Sequence, residues 1–318
     1  MTRIKTAICI VSMMLFLIDA HAQWKSYQSY YEPTQIETAN DGMLYVLASG
    51  GLFSYDANDQ EVRTYDKTTV LSDCDITHIA WCKAAKKLII VYDDYNIDLL
   101  SQNDEVVNLP AYMNTSMTVD KSVHSVDIYG NYAYISTGFG IIKLNVTESS
   151  FTDTYQLGFR VDYCYIDGKY IYAASSSNGL YRAPLTANLL NPSQWSRVGN
   201  FTSRNKNMDA DKLATVNKVK PEGPKYNHFG FMKMHKGKLY SCNGNMNYEP
   251  GCVQVFDGDK WTIYQDDMSS VIDFRYEDVM SIDIDPRDDN HVMAGTRSGV
   301  YEFYDGKLLK LWNHKNSP

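Results

Sequence analysis

Gly51-Leu-Phe-Ser-Tyr55, Gly140-Ile-Ile-Lys-Leu144, Gly179-Leu-Tyr-Arg182, Gly251-Cys-Val-Gln-Val-Phe256 and Gly299-Val-Tyr-Glu-Phe303 are copies of one phrase, with Asn96-Ile-Asp-Leu-Leu100 as a degenerate sixth. Their leading residues are separated by 45, 44, 39, 72 and 48 positions. A repeat of roughly 45 residues is the mark of a β-propeller, in which one four-stranded blade is the unit. The phrase therefore predicts an all-β fold.

On either side of the glycine the repeat resolves into short runs. The run that opens each unit alternates apolar and polar residues, as in Ile76-Thr-His-Ile-Ala-Trp81, Val123-His-Ser-Val-Asp-Ile128 and Val279-Met-Ser-Ile-Asp-Ile284. Period-two alternation is the pattern of a half-buried strand. Turn residues follow (Asn40-Asp-Gly42, Asp167-Gly-Lys169, Asp285 to Asn290), supplying the backbone angles that a hairpin requires. The second run is continuously apolar or aromatic, for example Leu44-Tyr-Val-Leu-Ala48 and Leu88-Ile-Ile-Val-Tyr92, which predicts burial on both faces between neighbouring blades. The glycine phrase opens the third strand. The fourth carries Trp or Tyr with more polar neighbours, as in Val62-Arg-Thr-Tyr65 and Trp261-Thr-Ile-Tyr264, because an outer edge meets water.

Six such units start near Ile36, Ile76, Val123, Val161, Phe229 and Val279. Gln23-Trp-Lys-Ser-Tyr27 reads as one further fourth strand without its partners. The expectation is a β-propeller with six full blades plus an N-terminal strand of a seventh, an incomplete ring. A closed six-bladed ring, with that strand added at one edge, is the alternative. The long step of 72 comes from a polar insertion at about 199–227 containing Pro221 and Pro224. Two readings of it stay open: a short helix at Asp209–Val219, or a disordered excursion.

The first 22 residues read as a secretory signal, with Arg3 and Lys5 before an apolar stretch from Ala7 to Ile18 and Ala20-His-Ala22 at the cleavage site. That stretch is too short to span a bilayer comfortably, and no other segment is apolar enough. The expected domain organisation is a signal peptide at 1–22 and one propeller domain at 23–318. A net charge of −8 argues against a protein that coats nucleic acid or an anionic membrane. Cleavage also removes Cys9 and leaves five cysteines, of which Cys242 and Cys252, flanking one hairpin loop, are the natural pair; two small apolar strand residues are the equal alternative.

Chemistry is sparse. No Gly-x-Ser-x-Gly elbow, His-Glu-x-x-His pair or phosphate loop occurs. Asp283, Asp285, Asp288 and Asp289 are hard oxygen ligands, but Arg287 and the lack of a loop glycine do not match a calcium loop, so a solvated turn is expected. Asp93-Asp94 and Asp266-Asp267 are neighbours that a strand would point to opposite faces. His78 and His124 occupy equivalent places in two blades, where an outward polar position is the plain explanation. Tyr30-Tyr31, Tyr92 to Tyr95 and Asn245 to Tyr248 are candidates for stacking on sugar rings, against the commoner role of Tyr in a core. No catalytic, cofactor or metal residue is assigned, and the expectation is a non-enzymatic protein.

Trp24 to Glu32, Gly51 to Tyr55, Leu71-Ser-Asp73 with Ile76 to Ile79, Leu88 to Tyr92 with Asn96 to Leu100, Tyr132 to Ser136, Gly138 to Ile142 and Asp153 to Gly158 together resemble the N-terminal β-propeller of the PorZ family, accessories of the bacterial type IX secretion system. The resemblance implies a binding or scaffold module, exported to the periplasm or outer cell surface. Its implied partners are the sortase that attaches secreted cargo and anionic lipopolysaccharide. It also implies a longer protein, with a second propeller and a C-terminal β-sandwich, and it transfers no binding residue to this stretch. A periplasmic glycan-sensing propeller of a hybrid two-component regulator is the second reading, and a propeller enzyme acting on polysaccharide the third.

Overall fold

The computed structural model describes residues 25–204, 208–244, 251–265, 278–297 and 299–317. The stretch read as a signal peptide, 1–22, lies outside them. Among the described residues, twenty-four strands form six separate four-stranded antiparallel sheets, each in sequence order from first strand to fourth. These are the blades of a propeller.

Blade 1 consists of Pro33–Thr38, Leu44–Ala48, Gly51–Asp56 and Glu61–Tyr65; blade 2 of Ile76–Cys82, Lys87–Tyr92, Ile97–Ser101 and Val106–Asn108. Blade 3 consists of Val123–Tyr129, Tyr132–Thr137, Gly140–Asn145 and Ser150–Gln156; blade 4 of Tyr163–Asp167, Tyr170–Ser175, Gly179–Pro184 and Ser196–Gly199. Blade 5 has Phe231–His235, Lys238–Cys242, Val253–Phe256 and Trp261–Ile263, and blade 6 has Val279–Asp285, Asp288–Thr296, Val300–Tyr304 and Lys307–Trp312. Every blade begins within a few residues of its expected start.

The recurring glycine has a steric cause. A Cβ at Gly140 would lie 2.0 Å from the Tyr155 carbonyl oxygen, and at Gly299 2.2 Å from that of Trp312. In both blades the end of the fourth strand presses on the start of the third, and only a residue without a side chain fits. Blade 2 solves the same problem differently. Asn96 stands in place of glycine, and its Oδ1 accepts a hydrogen bond from Asn108 Nδ2 of the fourth strand at 2.9 Å.

Second strands are the most buried, as their continuous apolarity requires: all five residues of Leu44–Ala48 are inaccessible to solvent or nearly so. Apolar clusters join blade 1 to 2 through Tyr45, Leu47, Trp81 and Leu88, and blade 2 to 3 through Ile89, Val91, Ala133 and Ile135. Two further clusters join blade 3 to 4 and blade 5 to 6. Each fully buried aliphatic side chain contributes about 1.5–3 kcal/mol, so these junctions dominate the stability of the assembly.

First strands lie side by side across the blades and leave edge N–H groups that need acceptors. Side chains of the preceding blade supply them. Gln35 Oε1 accepts from Ile79 N at 2.7 Å, Glu37 Oε2 from Trp81 N at 3.2 Å, and Asp127 Oδ2 from Cys164 N at 3.3 Å.

The insertion after blade 4 contains a helix, Ala210–Val219, so the helical reading holds. Asp209 is its N-cap and accepts from the N–H groups of Asp211 and Lys212. Val216 of this helix is fully buried against Val46, Ala48 and Phe53 of blade 1, together with Tyr30. Of the N-terminal stretch read as a seventh-blade strand, Gln23 and Trp24 lie outside the described residues. Lys25–Tyr27 join no sheet among the described residues, and the Tyr27 ring packs on Phe256 and Trp261 of blade 5.

Candidate binding cleft

The first strands of blades 1 to 4 enclose a cavity of about 300 Å³, lined by Gln35, His78, His124, Ser125, Asp162 and Tyr163 and bordered by Phe201, Ser203 and Arg204. His78 and His124 are thus equivalent, as their spacing indicated, but both line this central space instead of the outer surface. Burial, then the Arg160 charge, pushes His124 below the usual imidazole range. Burial pushes Asp162 the other way, yet the Ser176 N–H and Arg160 outweigh it and hold the carboxyl below its ordinary value.

A larger cleft of about 460 Å³ adjoins this cavity between blades 3 and 4. Its walls include Asp127, Tyr129, Tyr134, Tyr163, Tyr165 and Arg204. Asp127 is fixed from three sides. It accepts from Ser125 Oγ at 2.7 Å and from Cys164 N, and pairs with Arg204 Nη1 at 2.6 Å. The Arg204 guanidinium sits 5.6 Å from the Tyr163 ring centroid, and Tyr163 OH donates to the Thr202 carbonyl at 2.7 Å. The segment 201–204 is held over the cleft by these contacts. Tyr129 is 52% exposed at the rim.

Behind the cleft runs a row of tyrosines. Tyr165 and Tyr172 are cross-strand partners whose rings stack at 4.6 Å and 3°, and Tyr163 follows at 6.3 Å. Arg182 lies 4.4 Å above the Tyr170 ring and donates to Tyr172 OH. Fixed aromatic faces, a guanidinium and a carboxylate in a space of this size suit the binding of a polar ring-shaped ligand or a side chain.

The residues singled out from sequence fare unevenly. Tyr30 is buried between blade 1 and the helix, and Tyr31 lies under Lys220 at 3.9 Å. Tyr92 is buried and donates to Asp98 at 2.6 Å, while Tyr95 is packed beside the core of blades 2 and 3. Asn245 to Tyr248 lie outside the described residues. The tyrosines that gather at the cleft are others, Tyr129, Tyr134, Tyr163 and Tyr165, with Tyr172 stacked behind Tyr165. The spacing by two of Tyr163 and Tyr165, which places them on one strand face, was the available signal.

The acidic turn is occupied by the protein's own cations. Asp283 pairs with Lys233, Asp285 with Arg287 at 3.2 Å, and Asp289 with His235 and Lys236 at 2.9 Å each. Asp93 and Asp94 fall in a turn and not on a strand, where Asp94 accepts from Asn96 N; Asp266 and Asp267 are outside the described residues. Cys242 and Cys252 are both buried, and no disulfide joins them.

Six four-stranded blades with a lined central space define a β-propeller. Residues 44–196 match the family model described as the N-terminal β-propeller domain of PorZ of the type IX secretion system, and this stretch of the chain is similar to that domain. Among solved structures, PorZ of Porphyromonas gingivalis, described as an essential bacterial surface component of the type IX secretion system, superposes with a TM-score of 0.76 at 20% identity. The match covers 93% of this chain and 54% of that one, so the chain spans about half the length of its solved relative. The extracellular domain of a putative hybrid two-component system from B. thetaiotaomicron gives 0.40 at 15% identity, covering 92% of this chain and 48% of that one. No curated protein matches. No helix among the described residues is long and apolar enough to cross a membrane.

Proposed function

We propose that this protein is a non-enzymatic binding and scaffold module of a type IX secretion machinery, exported to the periplasm or outer surface. There it assists sortase-dependent attachment of secreted proteins to anionic lipopolysaccharide. The observation that carries this reading is the match of blades 1 to 4, residues 44–196, to the PorZ propeller. The cleft between blades 3 and 4 supports a binding role: its side chains are pre-positioned by backbone and ion-pair contacts, which lowers the entropic cost of holding a partner.

Purified protein is to be titrated against the type IX sortase and, separately, against anionic lipopolysaccharide. Saturable binding of either is expected. Arg204→Ala and Tyr163→Ala are each expected to weaken it roughly tenfold, in the range of a lost charged or aromatic anchor. Binding of neither partner, in the correctly folded protein, overturns the assignment.

A further inference from the structure

Residues 201–204, just past the last strand of blade 4, lie outside every strand and turn back across the first strands of blades 3 and 4. Four contacts pin this strap. The Phe201 ring lies beside that of Tyr163 at 6.1 Å, and Tyr163 OH donates to the Thr202 carbonyl at 2.7 Å. Arg204 Nη1 meets Asp127 Oδ1 at 2.6 Å, and its guanidinium stands 5.6 Å from the Tyr163 centroid. None of the four belongs to a sheet or helix ladder. Each is a contact that a separate peptide makes equally well.

The seat under the strap is built for a cation. The Asp127 side chain is only 12% exposed, and its two other partners, Ser125 Oγ and Cys164 N, are neutral donors. They orient the carboxylate without balancing its charge, which a cation must do. The Tyr163 ring beside it offers a negative face to the same cation. The neighbouring carboxylate is no rival seat, since Asp162 already holds Arg160 at 2.7 Å. Arg204 itself is lodged loosely: its side chain is 40% exposed, and ion pairs open to water are weak. Even with Arg204 seated, the cleft keeps about 460 Å³ of space walled by Tyr129, Tyr134 and Tyr165.

We infer that the cleft is a receptor for an arginine-bearing segment of a partner protein and that the strap 201–204 is its built-in competitor, an inference that rests on reading this cleft as a binding site. The strap spells out the ligand's chemistry: an aromatic residue three places before an arginine, Phe201-Thr-Ser-Arg204. A partner segment of that kind makes the same contacts and continues into the tyrosine-walled space that the strap leaves open. Tethering presents Arg204 to Asp127 at an effective concentration on the order of millimolar. The self-occupied state is therefore the resting one, and a partner enters by outcompeting the strap.

The strap's own sequence, supplied in trans as the acetylated and amidated peptide Phe-Thr-Ser-Arg, is the probe, titrated into the complete chain by ligand-observed NMR. Arg204→Ala empties the seat and is expected to bind the peptide saturably, at least about tenfold more tightly than the unaltered chain. Adding Asp127→Asn is expected to cancel that gain, and a peptide with neutral citrulline in place of arginine is expected not to bind. Tyr163→Phe keeps the ring and the carboxylate but releases Thr202, and is expected to raise affinity about threefold. That variant reads the strap even where Arg204→Ala folds poorly. Equal binding to the unaltered chain and both single variants overturns the inference. So does equal binding of the citrulline peptide, or no binding to Arg204→Ala protein with unchanged circular dichroism and urea midpoint. Peptide binding without sortase or lipopolysaccharide binding overturns the proposed function alone, and the reverse overturns this inference alone.

Discussion

Blades 1 to 4 and blades 5 and 6 are made from one repeating unit but are fastened differently. Three apolar junctions hold the first group, and side chains of Gln35, Glu37 and Asp127 accept the edge N–H groups of the next blade. Blades 5 and 6 share one apolar cluster and add a charged clasp in which Lys233 meets Asp283, and His235 and Lys236 meet Asp289. Met232, Met234 and Met280 on their first strands are all more than half exposed. The difference teaches that the four-blade arc is stabilised mainly by burial. The pair leans more on charges whose attraction water and salt weaken.

The largest effect is expected from emptying the capped face of the arc. Phe53→Ala removes a fully buried ring between the helix and blade 1 and is expected to cost about 3–5 kcal/mol, read as a lower urea midpoint. An equal loss from Met234→Ala in blade 5 would break the comparison, since that side chain is mostly exposed. Gly140→Ala comes next. Its Cβ collides with a backbone carbonyl that cannot step aside, and a loss above about 1 kcal/mol is expected. The degenerate position offers a contrast: Asn96→Gly removes the bond to Asn108 and is expected to destabilise instead of helping, by about 1 kcal/mol.

Acidity sharpens the contrast through two histidines shifted in opposite directions. His124, in the arc, is held below its ordinary value by burial, so the stability it contributes is present above about pH 6.5 and is lost as pH falls through its lowered pKa. His291, in blade 6, is raised by its bond to Glu302 and by Asp285. Its contribution is complete below about pH 6.5 and is lost as pH rises through the raised pKa. Hydrogen exchange at pH 5.5 and 7.5 is expected to show looser amides around Val123–Tyr129 at the lower pH and around Asp288–Thr296 at the higher. A change of the same sign in both regions contradicts this. The smallest effect is salt: Asp289→Asn is expected to lower the urea midpoint only slightly, and the difference should shrink in 1 M NaCl.

Much of the fold was legible because the glycine phrase reports a steric fact repeated in successive blades. Gly140 and Gly299 are required where the fourth strand closes on the third, and that demand survives in sequence as spacing. The linker helix was one of two open readings of the insertion, and the side chain that favours it, the Asp209 N-cap, is local chemistry. The cleft was far less legible. Asp127, Tyr163 and Arg204 meet across long separations in the chain, and only the packing of blades 3 and 4 brings them together. Tyr30 and Tyr92 misled for the same reason. A tyrosine that stacks on a ligand and one that seals a core look identical until its neighbours are known.

Tyr27 and Tyr30 also make the N-terminal segment a mechanical part. They lie three positions apart and reach opposite walls, one on blade 5 and the other on blade 1. Deleting one residue between them would turn both rings toward the same wall. A pull on the chain at Lys25 would load the pair through Tyr27 first and the arc through Tyr30 next, so tension at that point is shared between the two groups of blades instead of peeling one away.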